Sequence, residues 1–217
     1  MAAGLGLGLL LMGALRYSSH TSTVLTPMAP FATPGYIAVT AVFAVLLNRA
    51  RLPLNRFGFG ARPGLQHVAL AVAAVALLQS IDFTLSPLIE QWTGETRNLE
   101  RFSGVRGSLT ALTALLVANW TFAAFGEEFA YRIVLMRGLA FAFGDTRTAR
   151  VLALLLQAVI FGAVHAYQGP AGIVGATISG LVFGAVTLAG RWSIWPAAIA
   201  HGTNNTFGIV ALYMGAA

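Results

Sequence analysis

Apolar residues fall in long blocks along this chain, near positions 2–15, 33–48, 65–90, 107–125, 150–168, 171–190 and 194–215. The later blocks approach the roughly 20 residues that a helix needs to cross a bilayer. The pattern predicts an all-α protein, a polytopic bundle of about 6–8 transmembrane helices. The first block, AAGLGLGLLLMGAL, has no basic residue before it and no A-x-A site. It reads as a short first span rather than a secretory signal peptide. Residues 126–142 extend the fourth block to about 36 helical residues, roughly 54 Å at 1.5 Å per residue. A hydrocarbon core is only about 30 Å thick. Either a long tilted helix protrudes, or the chain breaks near Gly126 and re-enters.

The polar punctuation assigns ends to these elements. RARLPLNRFGFGAR, at 49–62, carries four arginines on a Pro/Gly-interrupted loop and is the best cytoplasmic candidate. The region 91–106 mixes Arg97, Arg101 and Arg106 with Glu95 and Glu100 and votes weakly. Asp145 in GDTRTAR is expected to cap the next helix, and Pro196 suits a first turn. Ala176, Gly180 and Gly184 recur every four residues, a stripe that lets a neighbouring helix approach closely. No internal repeat or linker divides the chain, so residues 1–217 read as one domain with its motif-bearing core at about 105–215.

Composition narrows the chemistry. Of 217 residues 57% are hydrophobic and 9% charged, with mean hydropathy +0.76. A soluble domain carries about a quarter charged residues. All thirteen basic residues are arginine, and there is no cysteine. Thiol nucleophiles, disulfides, iron–sulfur clusters and thiolate zinc sites are excluded, as are lysine Schiff bases and Ser–Lys dyads. The net charge of +6 is that of cytoplasmic loops on a membrane protein, not of a nucleic-acid binder. The expected surroundings are a lipid bilayer, in a bacterial cytoplasmic membrane, with no nucleic acid.

Against this background FGEEFAYRIVL, at 125–135, stands out. A charge at the bilayer centre costs about 2.5–3.5 kcal/mol on insertion scales, so Glu127, Glu128 and Arg132 need partners or an interfacial position. At 100° per residue Glu128 and Arg132 share a helix face, while Glu127 points about 100° away. The wheel gives the cation to Glu128 and makes Glu127 the candidate general base. Two further pairs follow at the same spacing, Phe161 with His165 in FGAVH and His201 with Asn205 in HGTNN. Each alone is an ordinary packed polar residue. Three on separate spans predict one polar cavity holding a base, a charge partner and several neutral donors, the parts for activating a water and stabilising an oxyanion.

The motifs E-E-x-x-x-R, F-x-x-x-H and H-x-x-x-N, in this order, resemble the CPBP intramembrane proteases. That family includes type II CAAX prenyl endopeptidases and bacteriocin-processing or immunity (Abi) proteins. The resemblance covers about the last 90 residues. It implies a glutamate-dependent endopeptidase acting on a membrane-associated peptide or protein. Carried over, Glu127 and His165 share the attacking water, Glu128 and Arg132 form a supporting pair beside Phe161, and His201 with Asn205 donates to the oxyanion. No cofactor and no metal is expected beside it, since turning Glu127, His165 and His201 onto one ion would leave only Asn205 for the oxyanion.

The nearest alternative is a zinc metalloprotease that uses Glu127, His165 and His201, although H-E-x-x-H is missing and Asn205 is a poor ligand. A rhomboid-like serine protease would need a better context than Ser179-Gly180 with His201. An aspartyl protease needs two membrane aspartates, and only Asp82 lies in a span. A transporter or a non-catalytic immunity protein is the non-enzymatic reading, without the repeats transporters tend to show.

Overall fold

The computed structural model describes Gly58 and residues 63–216. The apolar blocks at 2–15 and 33–48, and all of 49–62 except Gly58, lie outside the described residues. Within them the chain is all-α. Helix α1 is Leu65–Thr93, α2 is the continuous run Leu109–Ala142, α3 is Arg147–Ala163, α4 is Gly169–Ala189 and α5 is Trp195–Met214. Short 3₁₀ turns at Glu100–Val105 and Ala166–Gln168 join α1 to α2 and α3 to α4.

Among the described residues three helical stretches are long and apolar enough to cross a membrane: Leu65–Thr93, Leu109–Ala142 and Ala166–Ala189. Their outer faces carry Val72, Leu77, Phe83 and Val117 exposed. A row of exposed large apolar side chains around a bundle is what lipid, not water, tolerates. The molecule is a helical membrane protein. The total of 6–8 helices depends on residues outside the described part.

The helix ends follow from local chemistry. Ser108 caps α2, its hydroxyl accepting from Ala111 N at 3.3 Å. Pro170 and Pro196 sit in the first turns of α4 and α5, the latter as expected. The expected cap at Asp145 moves by one residue. Thr146 caps α3, its hydroxyl accepting from Ala149 N at 3.1 Å. Asp145 has a left-handed φ of 53°, outside the extended backbone typical of a cap, and pairs with Arg150 at 2.8 Å instead.

The choice left open around Gly126 resolves toward a continuous helix. At 34 residues α2 is roughly 50 Å long by α-helical rise. Its middle is wider than an α-helix: Asn119–Glu127 and Phe129–Met136 run as π-helix. π turns are rare and concentrate at functional sites. They also rotate each residue by less than the 100° of the sequence wheel.

Packing uses the small-residue stripe. A Cβ on Gly180 would stand 3.0 Å from the Ala158 backbone, and one on Gly184 only 2.4 Å from Leu154. Glycine there seats α4 on α3. Gln157 is fully buried between them and donates from Nε2 to the Gly180 carbonyl at 2.9 Å. On the other side Ala71, Ala74 and Leu78 of α1 meet Val182 and Phe183 of α4 and Ala197 and Ala200 of α5. Backbone bonds from Asn98 N to Gln168 O and from Gly107 N to Tyr213 O tie the α1–α2 connection to the start of α4 and the end of α5. Five helices thus enclose a space that opens toward that connection.

Candidate active site

The widened middle of α2 delivers its charges inward. Glu128 and Arg132 are fully buried and Glu127 is 8% exposed. Glu128 Oε2 lies 3.0 Å from Arg132 Nε, the i,i+4 pair read from the sequence. Glu128 Oε1 accepts from His201 Nδ1 of α5 at 2.7 Å. One carboxylate therefore joins two helices and two nitrogen groups. The Arg132 guanidinium lies 4.4 Å over the Phe161 ring and 5.4 Å over Phe183. Stacking on aromatic faces suits a buried guanidinium, whose charge is spread over a plane.

The histidines are held by different means. His201 is buried, stacked on Phe183 at 4.7 Å with a 17° interplanar angle. His165 was expected on the apolar face of its helix. It lies instead two residues past the end of α3, half-buried in the break before α4. The last turn tightens there, His165 N bonding to Gly162 O at 2.9 Å, and Gly162 lets α4 approach: a Cβ on it would meet Thr177 and the Ile173 carbonyl at under 3 Å. His165 Nδ1 is 2.7 Å from the Phe161 carbonyl. A carbonyl only accepts, so Nδ1 carries the proton and Nε2 of the neutral ring keeps its lone pair. The same logic applies to His201, where Nδ1 donates to Glu128. A second donation from its Nε2 requires the imidazolium.

Glu127, Phe161, His165, His201 and Asn205 all line one cavity of about 700 Å³. Both imidazoles face the same Phe161 ring, at centroid distances of 4.7 and 6.1 Å. Glu128 and Arg132 stand directly behind. The structure thus brings together all seven residues singled out from the sequence. Among the described residues no three His, Asp or Glu side chains are grouped as a metal site needs.

Other polar groups of this space carry no sequence signal of their own. Buried Asn119 donates from Nδ2 to the Gly202 carbonyl at 2.8 Å, bracing α2 on α5 beside His201. Gln79 of α1 donates to Asn204 Oδ1 at 2.9 Å. Both are single amides with no partner at helical spacing; only their placement within apolar runs marks them. Nearer the α1–α2 connection the wall carries the Arg97–Asp82 pair at 3.5 Å and Arg101, stacked 4.6 Å over Tyr167.

Residues 109–207, which contain every one of these motifs, match the family model described as type II CAAX prenyl endopeptidase Rce1-like. The match bears out the resemblance read from the three motifs. No curated protein and no solved structure matches the chain.

Proposed function

On the premise of that family match, we propose that the chain is an intramembrane endopeptidase that hydrolyses a membrane-associated peptide with an activated water and no metal. The observation that supports it is the convergence of Glu127, His165, His201 and Asn205 on one cavity between apolar helices. Glu127 takes the proton of the water, and His165, its Nδ1 proton directed at the Phe161 carbonyl, orients it through Nε2. The attack makes a tetrahedral oxyanion, to which Asn205 and protonated His201 donate; on its collapse the C–N bond breaks and Glu127 returns its proton to the leaving nitrogen. Glu128 holds His201 through Nδ1 and balances its charge, while Arg132 pairs with the other carboxylate oxygen at 3.0 Å. The membrane is that of a bacterial cytoplasm-facing bilayer in this reading.

Proteomic comparison of membranes carrying wild type and Glu127→Gln identifies the peptides cut. Purified protein should then lose about 10²–10⁴-fold in kcat with Glu127→Gln. Wild type should keep its activity after exhaustive chelation. Zinc whose removal abolishes cleavage and whose return restores it would replace this mechanism with a metal-bound water held by Glu127, His165 and His201.

A further inference from the structure

A second concavity, of about 550 Å³, lies away from the catalytic cavity, where α2 and α4 end and α3 begins. It is lined by Arg137, Arg147, Arg150 and Arg191, against a single acid, Asp145. Asp145 is engaged by Arg150 at 2.8 Å. The Arg137 guanidinium lies 5.5 Å over the Trp192 ring. Among the described residues neither Arg147 nor Arg191 forms an ion pair, and both are exposed. Four cations and one anion leave an excess of positive charge in one hollow.

The backbone is bent to hold that charge in place. Arg191 and Trp192 follow one another in the left-handed region, at φ 57° and 66°, and Asp145 shares it at 53°. Such conformations are unfavourable for residues other than glycine and persist where the surroundings fix them. Here Trp192 N bonds to Thr187 O at 2.8 Å and Asp145 N to Ala140 O at 2.7 Å. Both turns point arginines into the hollow. Its apolar edge is Phe141, 80% exposed, with Val151 and Leu188 beside it. Cations and apolar side chains lining one hollow, at the ends of helices long enough to cross a membrane, make the mixture found in the headgroup layer.

We propose that this hollow is a seat for a phosphate group, supplied by the headgroup of an anionic phospholipid. Arg147 and Arg191 contact the phosphate oxygens, Arg137 and Arg150 add long-range attraction, and Trp192 and Phe141 lie along the glycerol and upper acyl chain. Guanidinium matches phosphate geometry with paired donors, and the separate Arg137 guanidinium, 5.5 Å over the indole, holds Trp192 at the edge of the hollow. A free phosphate would satisfy the arginines but leave Phe141 uncovered. The lipid covers both.

The test uses the full chain in nanodiscs of phosphatidylcholine, alone or with 30 mol% phosphatidylglycerol, chosen as the probe. Phosphatidylglycerol should raise the thermal unfolding midpoint by about 3 °C or more, the linkage expected of a ligand that binds only the folded state. Native mass spectrometry should show a phosphatidylglycerol retained on each chain. Arg147→Gln with Arg191→Gln should remove both effects, while Arg147→Lys with Arg191→Lys keeps part of them. Inorganic phosphate at 10 mM in phosphatidylcholine discs should do nothing. A phosphatidylglycerol effect that survives in the double glutamine variant, or no effect in wild type, overturns the site. A shift produced by inorganic phosphate alone keeps the anion site and overturns the lipid as its occupant.

Discussion

Two ion pairs of similar length teach opposite lessons in this molecule. Glu128 and Arg132 approach to 3.0 Å with neither side chain exposed. Asp145 and Arg150 approach to 2.8 Å with side chains 52% and 44% exposed. The shorter pair is the weaker one in consequence. Water solvates Asp145 and Arg150 whether or not they touch, so little depends on the contact. Glu128 and Arg132 have no water to return to, and each is needed to make the other tolerable. Distance ranks contacts poorly; the medium around them decides.

The largest break in that comparison comes from removing one buried partner. Arg132→Ala strands Glu128 against His201 alone and should cost about 3–5 kcal/mol, read as a lowered unfolding midpoint and lost cleavage. Arg132→Ala at wild-type stability would mean the site is wetter than its burial indicates. A sharper test removes both charges. Glu128→Gln with Arg132→Met should be more stable than the sum of the single changes predicts, with a coupling of about 0.5–3 kcal/mol. Activity should not recover with it, since the neutral amide no longer balances His201. Additive losses would show that the two groups do not act as a unit.

The smallest effect belongs to the surface pair. The Arg150 hydrogen bond, helped by the charges of Arg150 and Arg137, lowers the Asp145 carboxyl below its ordinary 3.8. A carboxylate with a lowered folded-state pKa adds stability above its unfolded value, and that addition is lost as pH falls through the lowered one. Any contribution from Asp145 therefore disappears only in acid below about pH 4. At neutral pH, Asp145→Asn should leave the unfolding midpoint in phosphatidylcholine discs where it is. A clear drop there would put Asp145 among the buried groups instead.

Part of this was legible in the residues. Apolar block lengths gave α1, α4 and α5 to within a few positions, because a span must match the bilayer and little else. The three polar pairs were legible because an ionisable group in an apolar run has few places to go. The Glu128–His201 bond was not. It joins residues 73 apart, and spacing along one helix says nothing of a partner on another. The π geometry of α2 was hidden too, since no residue pattern separates i→i+5 from i→i+4 bonding in an apolar run. His165 lies two residues past Ala163, and the apolar run through 168 carries no stop signal to mark that end. Asn119 and Gln157 are solitary amides with no motif around them, yet each ties a pair of helices together.

Gly202 accepts from Asn119 through its carbonyl, and Trp120 rests on its Cα. A Cβ there would stand 2.6 Å from the indole ring. Two consecutive residues of α2 thus engage one bare position of α5, like a pawl dropped into the gap between two teeth. Sliding either helix by one residue would lift the pawl onto the side chain of His201 or Thr203 and pull Glu128 away from Nδ1. The catalytic alignment is therefore an all-or-none matter of register. Its tolerance is set by the single hydrogen atom that glycine has where every other residue has a carbon.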